Sequence, residues 1–354
     1  MKILIDAMAA EFGGIRTLVD AVLLQWHDVF PDDELHVAVP ADSTIGAGTP
    51  HTLHRLPVPR PYVVGRPWAQ TTRMRSLARR LRPDAVLATA PTTSVLSLGP
   101  GRLATIILDL RHELRPEQFS RGRRLIRAVS YGRTYRMADS FVAISQRSLD
   151  DLHRLHPSTA RKPAVVAHLG ADHVRAWPQP DRTGPAVSFA HHSNKNPDLL
   201  LDAWADLVAR GAAAPRLLVL GVGGARKPAL QAAIDERGIA DVVELAPFLP
   251  DEEFQQVIAA ARMIVFPSDF EGFGLPTVEG MALGKPVVIG PEPACLEVAG
   301  GHATVMADWT PAALAEAVLQ AESVDDEALA AARAWADTFT WERTIRRTRS
   351  ALEG

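Results

Sequence analysis

Short unbroken apolar runs, separated by longer stretches of mixed polarity, set the rhythm of this chain. Lys2 to Asp6 reads K-I-L-I-D, and comparable runs follow at Leu35 to Pro40, Asp84 to Thr89, Thr105 to Leu108, Phe141 to Ser145 and Val165 to Gly170. Further runs occupy 186–190, 217–221, 242–245, 263–266 and 286–289. Runs this short, with no alternating polar face, fit strands buried on both sides, as parallel strands are. The stretches between them carry helical spacing. One passes from a glycine loop through Trp26, one runs from Trp68 to Leu81 and stops before Pro83, and one follows Pro197 to Arg210. Val58 to Pro67, punctuated by prolines, reads as a loop. Strand and helix alternating in this way predict an α/β chain built on doubly wound parallel sheets.

The rhythm breaks once. From Ala171 to Pro185 the chain turns polar, with prolines at 178, 180 and 185 and no helical period, which reads as a linker. It separates a first domain over 1–170 from a second over 186–335, with a last helix over 336–354. A chain of 354 residues is long enough for two cores of ordinary size.

The stretch M-I-V-F-P-S-D-F-E-G-F-G-L-P-T-V-E-G-M-A-L-G-K-P-V-V-I-G, from Met263 to Gly290, holds the densest chemistry. A buried strand ends at Phe266, and a loop with Gly272 and Gly274 leads to Pro276, a residue suited to the first turn of a helix because its missing N–H would be unpaired there. The helix is predicted from Leu275 to about Gly284. Glu271 then lies in the loop at the strand's C-terminal end, and Glu279 about one turn inside the helix, able to point back to the same crevice. Between them the N–H groups around Phe273, Gly274 and Leu275 sit at a helix N-terminus, where a phosphate is stabilised. Two hydroxyl-accepting carboxylates flanking a phosphate cradle describe a site for a sugar nucleotide.

Composition narrows the classes. A net charge of −3 argues against bulk capture of nucleic acid, and the single cysteine, Cys295, excludes internal disulfides and a cysteine metal cluster. The first residues enter a strand without the apolar run of a signal peptide, and no stretch reaches the roughly 20 apolar residues of a membrane span. The expectation is a soluble, cytoplasmic protein.

The segment E-G-F-G-L-P-T-V-E matches the E-x7-E signature of retaining glycosyltransferases, and with P-S-x-x-E before it and G-x-P-V-V after it the chain resembles glycosyltransferase family 4. The likeness covers nearly the whole chain and is strongest from 186 to 345. It includes a G-G-I loop at Gly13 and Gly14, a lysine and asparagine at Lys195 and Asn196, L-E-V-A-G at 296–300 and F-T-W at 339–341. The resemblance implies two facing Rossmann-like domains, the GT-B fold, with the final helix returning to the first domain. It implies a transferase that moves a hexose from a nucleotide-diphosphate sugar, UDP- or GDP-linked, to a hydroxyl acceptor that is a glycan, lipid-linked or small, with retention and with no cofactor or metal.

By the same resemblance Glu271 holds donor sugar hydroxyls, Glu279 the ribose hydroxyls, and Lys195 with the 273–275 amides the diphosphate. Gly13 and Gly14 approach the diphosphate, and main chain around Phe248 and Leu249 reads the base. Asp109 and His112, after the strand that ends at Leu108, are the catalytic candidates of the first domain. Two departures stand out. The family's histidine directly before the aspartate is here Leu108, so that His112 either stands in for it or is a loop histidine. The family's arginine four residues before the lysine is here His191, which puts the second phosphate contact in doubt. His191 and His192 as a metal pair are disfavoured, since neighbours on a strand face opposite ways.

Arginines 115, 121, 123, 124, 127, 133 and 136, interleaved with Leu125, Ile126 and Tyr131, form the most basic region. It reads either as a surface for an anionic acceptor or for peripheral contact with a membrane, or as a solvated helical face. Competing readings of the whole chain are a nucleotide-sugar epimerase and a sugar-nucleotide binding module without catalysis. A dinucleotide oxidoreductase is weaker, because the loop from Glu11 to Arg16 lacks the third glycine of that fingerprint.

Overall fold

A computed structural model of the chain describes residues 1–10, 13–211 and 214–353. Glu11 and Phe12, the start of the glycine loop, lie outside the described residues. The chain divides into two compact units, Met1–Gly170 together with the stretch from Thr340 onward, and Ala171–Phe339.

The first unit is built on strands β1 (Lys2–Asp6), β2 (Glu34–Pro40), β3 (Thr52–Leu56), β4 (Ala85–Ala88), β5 (Arg102–Ile107), β6 (Ser140–Ala143) and β7 (Ala164–Val166). They form one parallel sheet in the order β3-β2-β1-β4-β5-β6-β7, with Ile5 opposite Val37 on one side and Leu87 on the other. The apolar runs have no polar face because helices cover both sides of the sheet. On one side Leu4, Val86, Ile107 and Phe141 pack with Met74, Leu77 and Tyr135. The last helix, Trp341–Glu353, belongs here as expected. Its Trp341, Ile345 and Leu352 are buried, and the Ser140 hydroxyl donates to the Ala351 carbonyl at 2.6 Å. Arg349, nearly buried, donates to Asp33 at 2.6 Å.

The second unit repeats the plan with β8 (Ala186–Phe189), β9 (Leu217–Leu220), β10 (Val243–Leu245), β11 (Met263–Phe266), β12 (Val287–Ile289) and β13 (Thr304–Val305), all parallel, in the order β10-β9-β8-β11-β12-β13. Trp204 is fully buried among Leu200, Leu217, Ile234 and Leu314, and its indole N–H donates to the Pro215 carbonyl at 2.8 Å. Each sheet is thus a doubly wound parallel sheet.

Several local expectations change. The prolines of 58–67 do not keep that stretch a loop. A helix, Tyr62–Ala69, includes Pro67, and the ladder is carried past it by a π-helical turn, Gln70–Met74, before a further helix, Arg75–Leu81. Residues 171–185, read as a linker, group with the second unit. The Asp181 and Gly184 amides donate to the carbonyls of Ala259 and Ala260, and the buried Lys285 ammonium holds the Asp181 and Ala259 carbonyls. The edge strands β3 and β13 carry no unbroken apolar run and have no counterpart in the sequence pattern.

Candidate functional site

In a sheet of this order the chain winds outward in opposite directions from one point, and the loops at the C-terminal ends of the two flanking strands part to leave a crevice where ligands bind. In the second unit that point lies between β8 and β11. The loop after β8 carries Asn194 and Lys195, and the loop after β11 carries Ser268 and Glu271.

These side chains meet. Lys195 Nζ donates to Glu271 Oε1 at 2.5 Å, and Asn194 Nδ2 donates to the same oxygen at 3.1 Å. Two donors therefore converge on one oxygen, and the Ser268 hydroxyl lies within reach of both Oε1 and the Asn194 carbonyl, with one proton to donate to either. Lys195 and Asn194 are buried, and the ammonium also lies 4.2 Å from the centre of the Phe266 ring. Asn194 Nδ2 reaches the Phe270 carbonyl at 2.8 Å, and the Asp269 amide returns a bond to the Asn194 carbonyl at 2.9 Å. The two loops are therefore stitched to each other through main chain as well as through the ion pair.

The helix after Glu271 runs Leu275–Ala282, close to its expected span. Gly274 caps it with φ of 95°, a left-handed conformation, and a Cβ there would come within 3.0 Å of the Cys295 sulfur, so two constraints require glycine. No side chain caps this end, and the amides of Gly274 and Leu275 donate to no protein acceptor among the described residues. Phe273 is buried against Phe339. Glu279, one turn along, accepts from His173 Nε2 at 3.1 Å, and the His173 ring in turn packs edge-on against Trp177.

His191 lies beyond the end of β8, so strand alternation does not govern it, and its ring lies 4.9 Å from that of His192 rather than on the opposite face. It neighbours Phe248, whose ring centre is 6.1 Å away and which is 73% exposed, while Leu249 is half-buried. Among the described residues no group of three His, Cys, Asp or Glu side chains has the arrangement of a metal site. A guanidinium does stand next to position 191. Arg226, from the helix Arg226–Glu236, donates from Nη1 to the Ala190 carbonyl at 3.0 Å. Neither Arg226 nor His173 was expected, because each reaches the crevice from a segment whose pattern carries no signal for it.

In the first unit Gly13 caps the helix Gly14–Val29 with φ of 68° and open space where a Cβ would be. Asp109 follows β5, and its Oδ1 accepts from the Arg111 amide at 2.9 Å. His112, buried, lies on the short helix Arg111–Leu114 with its Nε2 3.3 Å from Glu113 Oε1 and its ring edge-on to Tyr131 at 4.6 Å. Glu113 also accepts from His156 Nε2 at 3.0 Å. Burial works to raise the Glu113 carboxyl, but the bonds from His112 and His156 prevail and hold it at about 2. A further group unforeseen in the sequence is Asp6, at the end of β1 where this sheet reverses direction. It is buried and accepts from Gln70 at 3.1 Å, Thr93 at 2.7 Å and the Met8 amide at 3.2 Å, and burial pushes its carboxyl above the usual range.

Known proteins are similar to this chain in architecture and, in part, in sequence. Residues 185–323 match the family described as glycosyl transferases group 1. A D-inositol 3-phosphate glycosyltransferase of Gordonia bronchialis is 33% identical over 165 residues, covering 43% of this chain and 36% of that protein. A GDP-mannose-dependent α-(1-6)-phosphatidylinositol dimannoside mannosyltransferase of Mycobacterium tuberculosis is 27% identical over 368 residues, covering 94% of this chain and 90% of that one. The chain spans little more than a third of the length of the first relatives it matches, 36% and 38%. Among solved structures, HepE of Anabaena in complex with UDP superposes with a TM-score of 0.76 at 18% identity over all of both chains, and the lipopolysaccharide glycosyltransferase WaaG with 0.71 at 15%. Two Rossmann-like units with these neighbours define the GT-B fold. The chain has the GT-B fold, and over 185–323 it is similar to the group 1 glycosyltransferases, so the likeness read from its glutamate signature holds.

Proposed function

We propose that the protein is a retaining glycosyltransferase that moves a sugar from a nucleoside diphosphate to a hydroxyl acceptor without a metal ion. The observation that carries this reading is the buried Lys195–Glu271 pair at the β8/β11 crevice, beside the uncapped N-terminus of the helix Leu275–Ala282. Lys195 takes up charge on the departing diphosphate, and the Gly274 and Leu275 amides with the helix dipole add to it. Glu271, held by Lys195 and Asn194, accepts hydroxyls of the donor sugar. Glu279 accepts the ribose hydroxyls, and Arg226 supplies the second cation that His191 replaces in the sequence pattern. Electrostatic stabilisation of the leaving group is then the main catalytic contribution.

The family signature assigns no carboxylate to attack on the anomeric carbon. A front-face reaction, with the leaving phosphate as base, therefore suits this chain better than a covalent glycosyl intermediate. Asp109 and His112 are the first unit's candidates for contact with the reacting groups. UDP and GDP sugars are the donors of choice, since one structural neighbour holds UDP and one relative is named for GDP-mannose.

A thermal-shift panel of nucleoside diphosphate sugars tests the reading, because a ligand at a hundred times its dissociation constant stabilises by about 2.7 kcal/mol. The expected result is a shift with one donor class and turnover that depends on an acceptor. A shift with neither transfer nor donor hydrolysis would leave a binding module, and epimerised donor with no acceptor present would make the protein an epimerase.

A further inference from the structure

Glu279, the residue assigned to the ribose hydroxyls, has a fixed partner. His173 Nε2 lies 3.1 Å from Glu279 Oε1, and the two side chains are 22% and 12% exposed. A carboxylate only accepts, so the proton of this bond sits on Nε2. The bond takes one of the carboxylate's lone-pair positions and leaves Oε2 without a protein partner among the described residues. Glu279 is thus held at one oxygen and open at the other.

His173 is itself held. It lies on the short turn Asp172–Ala176, where Val174 is buried and its amide donates to the Ala171 carbonyl at 3.1 Å. The His173 ring packs edge-on against Trp177 at 5.5 Å, and Trp177 packs edge-on against Phe254 at 5.9 Å. Phe254 meets Phe189 at 6.4 Å, and Phe189 meets Phe266 edge-on at 6.0 Å. Phe266 is the ring beside the Lys195 ammonium. One aromatic row inside the second unit therefore has the partner of Glu279 at one end and the diphosphate lysine at the other. Ring pairs in tilted and edge-on contact attract beyond the area they bury, so the imidazole is fixed before any ligand arrives.

We propose that His173 is a positioning residue for nucleotide recognition: by holding one Glu279 oxygen it aims the carboxylate at the ribose hydroxyls, so that the site reads the ribose as well as the base and the phosphates. This rests on the assignment of Glu279 to the ribose. A glutamate without the bond has several side-chain torsions to order when the ligand binds, whereas one already hydrogen-bonded meets the ligand in place, and the difference appears as affinity. A nucleotide without ribose hydroxyls gains nothing from it. That selectivity separates positioning from a general contribution to packing.

The test is calorimetric and uses the full chain, with UDP and GDP each measured against its 2′,3′-dideoxy counterpart. His173→Phe keeps a ring for Trp177 and removes the donor. His173→Gln places an amide N–H near the position of Nε2 and removes the ring. The native protein should bind the ribonucleotide about 10-fold or more tightly than the dideoxynucleotide. His173→Phe should shrink that ratio by about 3- to 10-fold with the dideoxy constant unchanged, and His173→Gln should recover most of it. On a Glu279→Ala background, His173→Phe should change nothing further. If His173→Phe does not fold, His173→Asn, whose amide stops short of Glu279, takes its place with the same expected ratio.

The proposal is overturned by an unchanged ratio in His173→Phe, by equal losses for both nucleotides, by no recovery in His173→Gln, or by a ratio that falls as much without Glu279 as with it. A native ratio near one, or one that Glu279→Ala leaves unchanged with His173 intact, would remove Glu279 from the ribose and the inference with it. Absence of binding by both ribonucleotides would remove the transferase reading and the inference together.

Discussion

Lys195 and Glu271 stand 76 residues apart in sequence and 2.5 Å apart in space, each nearly shut off from solvent. One comes from the loop after β8 and the other from the loop after β11, so the pair spans the point at which the sheet's winding reverses. The residue assigned to the diphosphate and the residue assigned to the sugar are thereby joined in the ligand-free protein.

Removing either partner of a buried pair leaves an uncompensated charge, at a cost of about 3 kcal/mol. Lys195→Met and Glu271→Gln should each lower the unfolding free energy of the ligand-free protein, and the double variant should lose less than the sum. Urea denaturation of the four proteins measures the coupling. Additive losses would mean that the pair contributes nothing as a pair.

The two glutamates should separate by ligand. Glu279→Ala is expected to weaken binding of the nucleoside diphosphate itself, while Glu271→Ala chiefly lowers turnover. With Glu271 gone, the Lys195 ammonium remains available to the diphosphate, so free-nucleotide affinity stays near that of the native protein. Calorimetric dissociation constants for both variants decide this, and equal losses would show the ribose and sugar roles to be misassigned.

Arg226 and His191 compete for one role. If the Arg226 guanidinium, fixed at the Ala190 carbonyl, meets the diphosphate, Arg226→Ala should cost about 10-fold or more in nucleoside diphosphate affinity and His191→Ala much less. The opposite ranking would return the phosphate contact to the histidine.

Glu113 makes stability depend on acid. Its carboxyl is held at about 2 in the folded chain against an ordinary 4.5, so the folded state binds fewer protons than the unfolded one. The stabilisation is complete above the unfolded value and disappears as pH falls through the folded one. A contribution of about 1 to 3 kcal/mol is expected, allowing for screening at a partly exposed group. The difference in unfolding free energy between native protein and Glu113→Gln should therefore shrink from pH 4.5 to pH 2. A difference independent of pH would contradict it.

The interior strands were legible because burial on both faces leaves an unbroken apolar run, as in Ile3 to Ile5 or Met263 to Phe266. The edges were not. Thr52 to Leu56 is half polar because one side of β3 has no neighbour, and Thr304 with Val305 is too short to make a pattern. The helix through Pro67 was hidden because proline reads as a breaker, yet Tyr62–Ala69 carries it within the helix. Glu271, Glu279 and Lys195 stood out through local spacing. His173, Arg226 and Asp6 did not, because the groups they meet lie far along the chain, at Glu279, Ala190 and Thr93.

The central claim is that this crevice drives transfer with retention through a stabilised leaving diphosphate. The measurement closest to it is proton NMR of the anomeric centre during early turnover of the donor selected by thermal shift, with methanol as a generic hydroxyl acceptor. A methyl glycoside does not mutarotate, so its configuration records the reaction itself. The account predicts a methyl glycoside with the donor's anomeric configuration, lost together with turnover in Glu271→Ala. A product of inverted configuration would contradict it.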